Sequence, residues 1–182
     1  METLKNGMNI SMLCDFYEFT MSNGYFQNGF KDKIAYFDMF FRKVPDEGGF
    51  ALAVGLTQLI EYIEKFKFYA DDISFLRTKG IFSEDFLNYL QNMEFECDIY
   101  AVNEGTPVFP NEPLVIVKGP IIQAQLIETM VLLTINHQSL IATKANRIVR
   151  AAGDKPVMEF GSRRAQGYDG ALIGARAAYI AG

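Results

Sequence analysis

"KPVMEFGSRRAQGYDGALIGARAAYIAG" (residues 155–182) is the stretch whose reading decides the fold. An apolar, strand-like run through Phe160 leads into a glycine-flanked polar loop holding Arg163 and Arg164, and then into an alanine-rich helical pattern. Strand, loop and helix make one β/α unit, and the arginine pair falls at the carboxyl end of the strand, the edge where β/α proteins bind ligands. One such unit cannot close a barrel, and the helix pattern meets no following strand to cover its apolar face. The expectation is therefore a truncated part of a longer protein. Two readings of the arginine pair stay open. It is either a solvated surface turn or a cationic strand end for an anionic ligand, since guanidinium groups match phosphate oxygens in pairs. Gly161 lets backbone approach a ligand, and Phe160 offers a ring that can stack on a flat heterocycle.

Working back toward the N-terminus, "PIIQAQLIETMVLLTINHQSLIATKANRIVRAAG" (120–153) predicts one long helix entered at Pro120 and stopped at Gly153, about 45 Å if unbroken. Its middle, Met130 to Ile135, is apolar on all sides and is expected to be buried. "CDIYAVNEGTPVFPNEPLVIVKG" (97–119) predicts short strands separated by proline turns. "DDISFLRTKGIFSEDFLNYLQNMEF" (71–95) reads as two short helices, the second capped by Ser83. Leu56, Leu59, Ile60 and Ile63 stand at helical spacing, and "KIAYFDMFFRKVP" (33–45) reads as a strand ended by Pro45. "CDFYEFTMSNGYFQNGF" (14–30) predicts a helix with Asp15 and Glu18 at capping-box spacing. Its rings, Phe16, Tyr17, Phe19, Tyr25 and Phe26, run almost all round it, so core packing competes with a subunit contact or a pocket wall.

The 182 residues are 49% hydrophobic and 14% aromatic, enough for a real core, with a formal net charge of −5. That acidic balance argues against general attraction to nucleic acid or acidic membranes. Cys14 and Cys97 show no metal-ligand or redox spacing, "METLKNGMNI" has no signal-peptide pattern, and no run reaches the roughly 18 apolar residues of a membrane span. The expectation is a cytoplasmic protein with two reduced thiols. No Walker loop, dinucleotide fingerprint, hydrolase elbow or His/Cys metal cluster occurs. His137, the single histidine, has no acidic neighbour in sequence and reads as a hydrogen-bonded packing residue rather than a general base. Arg42-Lys43 ends the strand candidate at 33–45, as a plain gatekeeping charge or as a second phosphate contact.

Several of these segments together resemble nicotinate phosphoribosyltransferase. They are "LCDFYEFTMSNGYF", "AYFDMFFRKVPDEGGFALAVGL", "EGTPVFPNEPLVIVKGPIIQAQLIET", "NHQSLIATKANRIVRAAG" and "EFGSRRAQGYDGALIGARAAYIAG", collinear over nearly the whole chain. Cys14 stands where threonine is common in that family.

The resemblance implies an α/β fold. An N-terminal α/β sandwich of the quinolinate-phosphoribosyltransferase type with a long connecting helix would span 1–153, and the first β/α unit of an incomplete irregular α/β barrel would span 154–182. It implies the joining of nicotinate to 5-phosphoribosyl 1-diphosphate, driven by ATP hydrolysis, on the route to NAD. ATP and Mg2+ would be co-substrates, with no permanently bound cofactor. A homodimer with shared sites is implied, with no role for nucleic acid or membrane. Tyr17 would be the ring a neighbouring subunit supplies to the pyridine, and Phe160 matches the ring-stacking position of the related nicotinamide enzyme. Arg163, with Arg164 beside it, would bind the phosphate or diphosphate of the ribosyl donor, and Arg42 would add a phosphate contact across the dimer. The phosphorylated histidine of the family would lie beyond Gly182, which His137 does not match, so the isolated chain is expected to be inactive. The alternatives are a nicotinamide- or quinolinate-type enzyme, or a non-catalytic interaction module.

Overall fold

The computed structural model describes residues 9–182, so most of "METLKNGMNI", read above as free of a signal peptide, lies outside the described residues. In chain order the elements are α1 (Phe16–Gln27), β1 (Ile34–Phe40), β2 (Ala51–Leu52), α2 (Leu56–Ile63), α3 (Ala70–Arg77) and α4 (Glu84–Gln91). There follow β3 (Asp98–Ala101), β4 (Pro107–Val108), β5 (Pro113–Pro120), α5 (Ile121–Leu126), α6 (Glu128–Ala152) and α7 (Gly167–Ile180). The chain is a mixed α/β protein that divides into two compact units. The first comprises Met1–Phe37, Leu59–Tyr100 and Ile116–Val131; the second comprises Asp38–Gln58, Ala101–Val115 and Leu132–Gly182.

The first unit has a core built largely of rings. Phe19 meets Phe68 edge-on at 5.8 Å, and Phe68 meets Phe66 at 5.4 Å. Phe86 of α4 packs against Phe26 and Phe82. Edge-to-face contact sets the positive rim of one ring on the negative face of the next, so a ring cluster is directional as well as apolar. On α1 only Phe19 among the aromatics is fully buried, while Phe16 and Tyr17 stay nearly half exposed. Ser83 caps α4, its Oγ accepting the Phe86 N–H, as its place before an acidic first turn predicts. The capping box expected at Asp15 does not form, for Asp15 makes no side-chain cap bond. Glu18, its intended partner, is fully buried and takes a 2.6 Å bond from the Thr129 hydroxyl instead. Most of a three-stranded sheet, ordered β1–β5–β3, also belongs to this unit.

The second unit is organised around α6. β2 pairs antiparallel with β4, Ala51 opposite Val108. The N–H groups of Leu52 and Val54 donate to the hydroxyls of Thr143 and Ser139, one turn apart on α6. Hydroxyls on a helix face thus satisfy backbone donors that a two-strand ladder leaves unpaired. Ala142 of α6 and Ala177 of α7 are fully buried together with Leu52 and Val54, their small side chains suiting close contact.

Three further expectations change. The helix foreseen over 120–153 is two helices, α5 and α6, with Ile127 (φ −97°, ψ −2°) as a turn residue between them. Val131 and Ile135 are buried, but Leu132 and Leu133 are about half exposed, since residues four apart share one face and those between them do not. The strand foreseen at 155–160 is an irregular, exposed run, for among the described residues no strand lies beside it to complete a ladder.

Candidate functional site

Arg163 and Arg164 sit in the second unit on a 3-10 turn, Gly161–Arg164, that leads into α7. The Gly161 N–H donates to the Glu159 carboxylate, which closes the turn. Phe160 immediately precedes it and is 72% exposed. Gly167, at φ +85°, makes the sharp entry into α7 that a side chain would resist. Both arginines are exposed, and so is Arg42, two residues past the end of β1.

The other arginines set these three apart. Arg77 pairs with Glu84, Arg147 with Asp46 and Arg176 with Glu104, while Arg150 lies over the Phe50 ring. Among the described residues, Arg42, Arg163 and Arg164 make no ion pair, side-chain hydrogen bond or ring contact. An unpaired guanidinium can meet an anion without first breaking a bond to a carboxylate.

Tyr17 belongs to the first unit. Its hydroxyl donates to Glu128 Oε1 at 3.0 Å, and the residue is 44% exposed. His137 corrects its sequence reading: it lies exposed on α6 and its side chain makes no hydrogen bond among the described residues.

Sequence reasoning passed over the most tightly bonded polar group of the second unit. Arg176 of α7 grips Glu104 with two nitrogens, at 2.6 and 3.0 Å, and also donates to Thr57 and Gln138. Glu104 further accepts the Gly55 N–H at 2.7 Å. Burial pushes the Glu104 carboxyl up, but the bonds from Arg176 and Gly55 outweigh it and hold the group down at about 2. The available signal was a single charge, Arg176, in the otherwise apolar "GALIGARAAYIAG". This group is a structural brace that fastens the helix following the arginine turn.

A family model described as the nicotinate phosphoribosyltransferase N-terminal domain matches residues 12–136. A nicotinate phosphoribosyltransferase of Bacillus subtilis is 45% identical over 174 residues, covering 96% of this chain and 36% of that protein. The crystal structure of human nicotinic acid phosphoribosyltransferase superposes with a TM-score of 0.86 at 36% identity, over 93% of this chain and 35% of the human one. A nicotinate-nucleotide pyrophosphorylase from Pyrococcus furiosus shares the fold, with a TM-score of 0.73 at 23% identity over 96% of this chain and 37% of its own. The chain spans about a third of the length of the curated relatives it matches. Among the described residues no helix is long and apolar enough to cross a membrane.

Proposed function

The chain belongs to the nicotinate phosphoribosyltransferase family, and from that premise we propose that the complete enzyme joins nicotinate to 5-phosphoribosyl 1-diphosphate. The pyridine nitrogen bonds to the ribosyl C1 as the C1–O bond breaks, giving nicotinate mononucleotide and diphosphate. ATP, hydrolysed with Mg2+, accompanies the step as a co-substrate, and none of this chain's residues is assigned to it. Residues 1–153 form the sandwich domain with its connecting helix, and 154–182 begin an irregular α/β barrel. The working form is a cytoplasmic homodimer in which Tyr17 reaches the site of the neighbouring subunit.

One contrast carries this reading: the arginines of the "GSRRAQG" turn, with Arg42, are the ones left without protein partners among the described residues. A donor bearing a phosphate and a diphosphate supplies the missing anions. Arg163 and Arg164 hold it, and Arg42 adds a phosphate contact. Positive charge develops on the ribosyl ring as the diphosphate leaves, so fixing the two reactants and stabilising the departing anion supply most of the acceleration. Phe160 and Tyr17 offer ring faces to the flat pyridine.

The test is product formation by the complete enzyme given phosphoribosyl diphosphate, ATP, Mg2+ and either nicotinate or nicotinamide. Nicotinate mononucleotide is the expected product. Preferential formation of nicotinamide mononucleotide would transfer the protein to the nicotinamide-type reading.

A further inference from the structure

Two consecutive residues at the start of α6, Glu128 and Thr129, take hold of the first turn of α1. Thr129 Oγ1 accepts the Asp15 backbone N–H at 3.1 Å and donates to the buried Glu18 carboxylate at 2.6 Å. Glu128 Oε1 accepts the Tyr17 hydroxyl at 3.0 Å, and Oε2 accepts Gln125 Nε2 at 2.7 Å. Gln125 is 3% exposed, so the carboxylate is itself fixed by a side chain that cannot move freely. Residues 15, 17 and 18 are thereby tied to one point, and all these groups lie in the first unit.

Thr129 alone anchors the helix by its backbone and by a buried side chain. The Glu128 bond is different, because it fastens a tyrosine that is 44% exposed and adds little to the core. Holding an exposed side chain in one rotamer carries an entropy cost, and a partly hydrated hydrogen bond returns little net stability. What the bond does secure is a ring in a single orientation, which is the requirement for a stacking partner. We propose that Glu128, backed by Gln125, is a positioning residue that holds Tyr17 with its ring presented to the pyridine of nicotinate. This rests on the role given to Tyr17 above.

The test is steady-state kinetics on the complete enzyme with Tyr17→Phe, Glu128→Ala, the double variant, Glu128→Gln and Tyr17→Ala. Tyr17→Phe and Glu128→Ala should each raise the KM for nicotinate by about two- to tenfold, the range for one hydrogen bond. The kcat and the donor KM should hold. The double variant should be no worse than either single change, and Glu128→Gln, which keeps an acceptor, should restore most of the loss. Fully additive effects, or a Glu128→Ala protein with an altered melting temperature and an unaltered nicotinate KM, would overturn the proposal. If Tyr17→Ala raises that KM and Glu128→Ala does not, the positioning role alone fails. If Tyr17→Ala leaves it unchanged, the ring's place in the site fails and the positioning role with it.

Discussion

Glu18 has no exposed surface, and its two carboxylate oxygens fare differently: Oε1 takes the Thr129 hydroxyl, while Oε2 is buried without a partner among the described residues. The Ser22 and Tyr62 hydroxyl oxygens are likewise buried and unpartnered. Burial pushes the Glu18 carboxyl up to about 7; the Thr129 bond pulls it down and the nearby Glu128 charge adds to the rise. An unfolded glutamate titrates near about 4.3, so the folded state holds the proton over the interval between. Stability from this group is fully present below about 4.3 and is lost as pH rises through about 7. Calorimetric melting should fall between about pH 5 and about pH 8, and Glu18→Gln should flatten that fall. An identical slope in the variant would remove Glu18 as its source. Glu104 has the opposite sign. Held at about 2, it contributes stability above about 4.3 that disappears as pH falls through about 2. Glu104→Gln should be less stable near neutrality and lose proportionately less in acid, which acid titration followed by circular dichroism would show.

At the scale of elements, local chemistry was legible where it acted alone. Ser83 announced α4 because its hydroxyl has only the Phe86 N–H to satisfy. Ser83→Ala should cost about 1 kcal/mol in urea unfolding, and an unchanged midpoint would contradict the cap. Asp15 carried a comparable signal and misled, because Thr129, over a hundred residues away in the chain, took the glutamate that the box required. The irregular run at 155–160 was illegible because a strand depends on a neighbouring strand and not on propensity alone, and residues 121–128 hold no proline or glycine to mark the turn at Ile127. Gly55 shows how close such neighbours come. At φ +115°, a Cβ there would stand 2.7 Å from the Thr134 carbonyl oxygen and 3.1 Å from the Ile135 Cα. Gly55→Ala should therefore destabilise the fold by about 1–3 kcal/mol through strain alone, read as a lower urea midpoint, and a neutral substitution would contradict that geometry.

For the molecule as a whole, the family was legible from collinear segments, while the chemistry was legible only in part. The arginine turn could be read because two cations beside glycines are an unusual ending to an apolar run, but sequence left both solvent and ligand open as its partner, with solvent the commoner outcome for such a pair. In the structure every other arginine has a protein partner, while this pair and Arg42 are exposed and unpartnered among the described residues, which suits a solvated turn and an anion site alike. The Arg176–Glu104 brace escaped notice because its members, at 55, 57, 104, 138 and 176, meet only in the folded second unit. The measurement that bears most directly on the account is calorimetric titration of phosphoribosyl diphosphate into the complete enzyme and into its Arg163→Ala variant. Loss of one charge-assisted contact should weaken donor binding by about 1.5–3 kcal/mol, roughly ten- to a hundredfold. Equal affinity in the two proteins would contradict it.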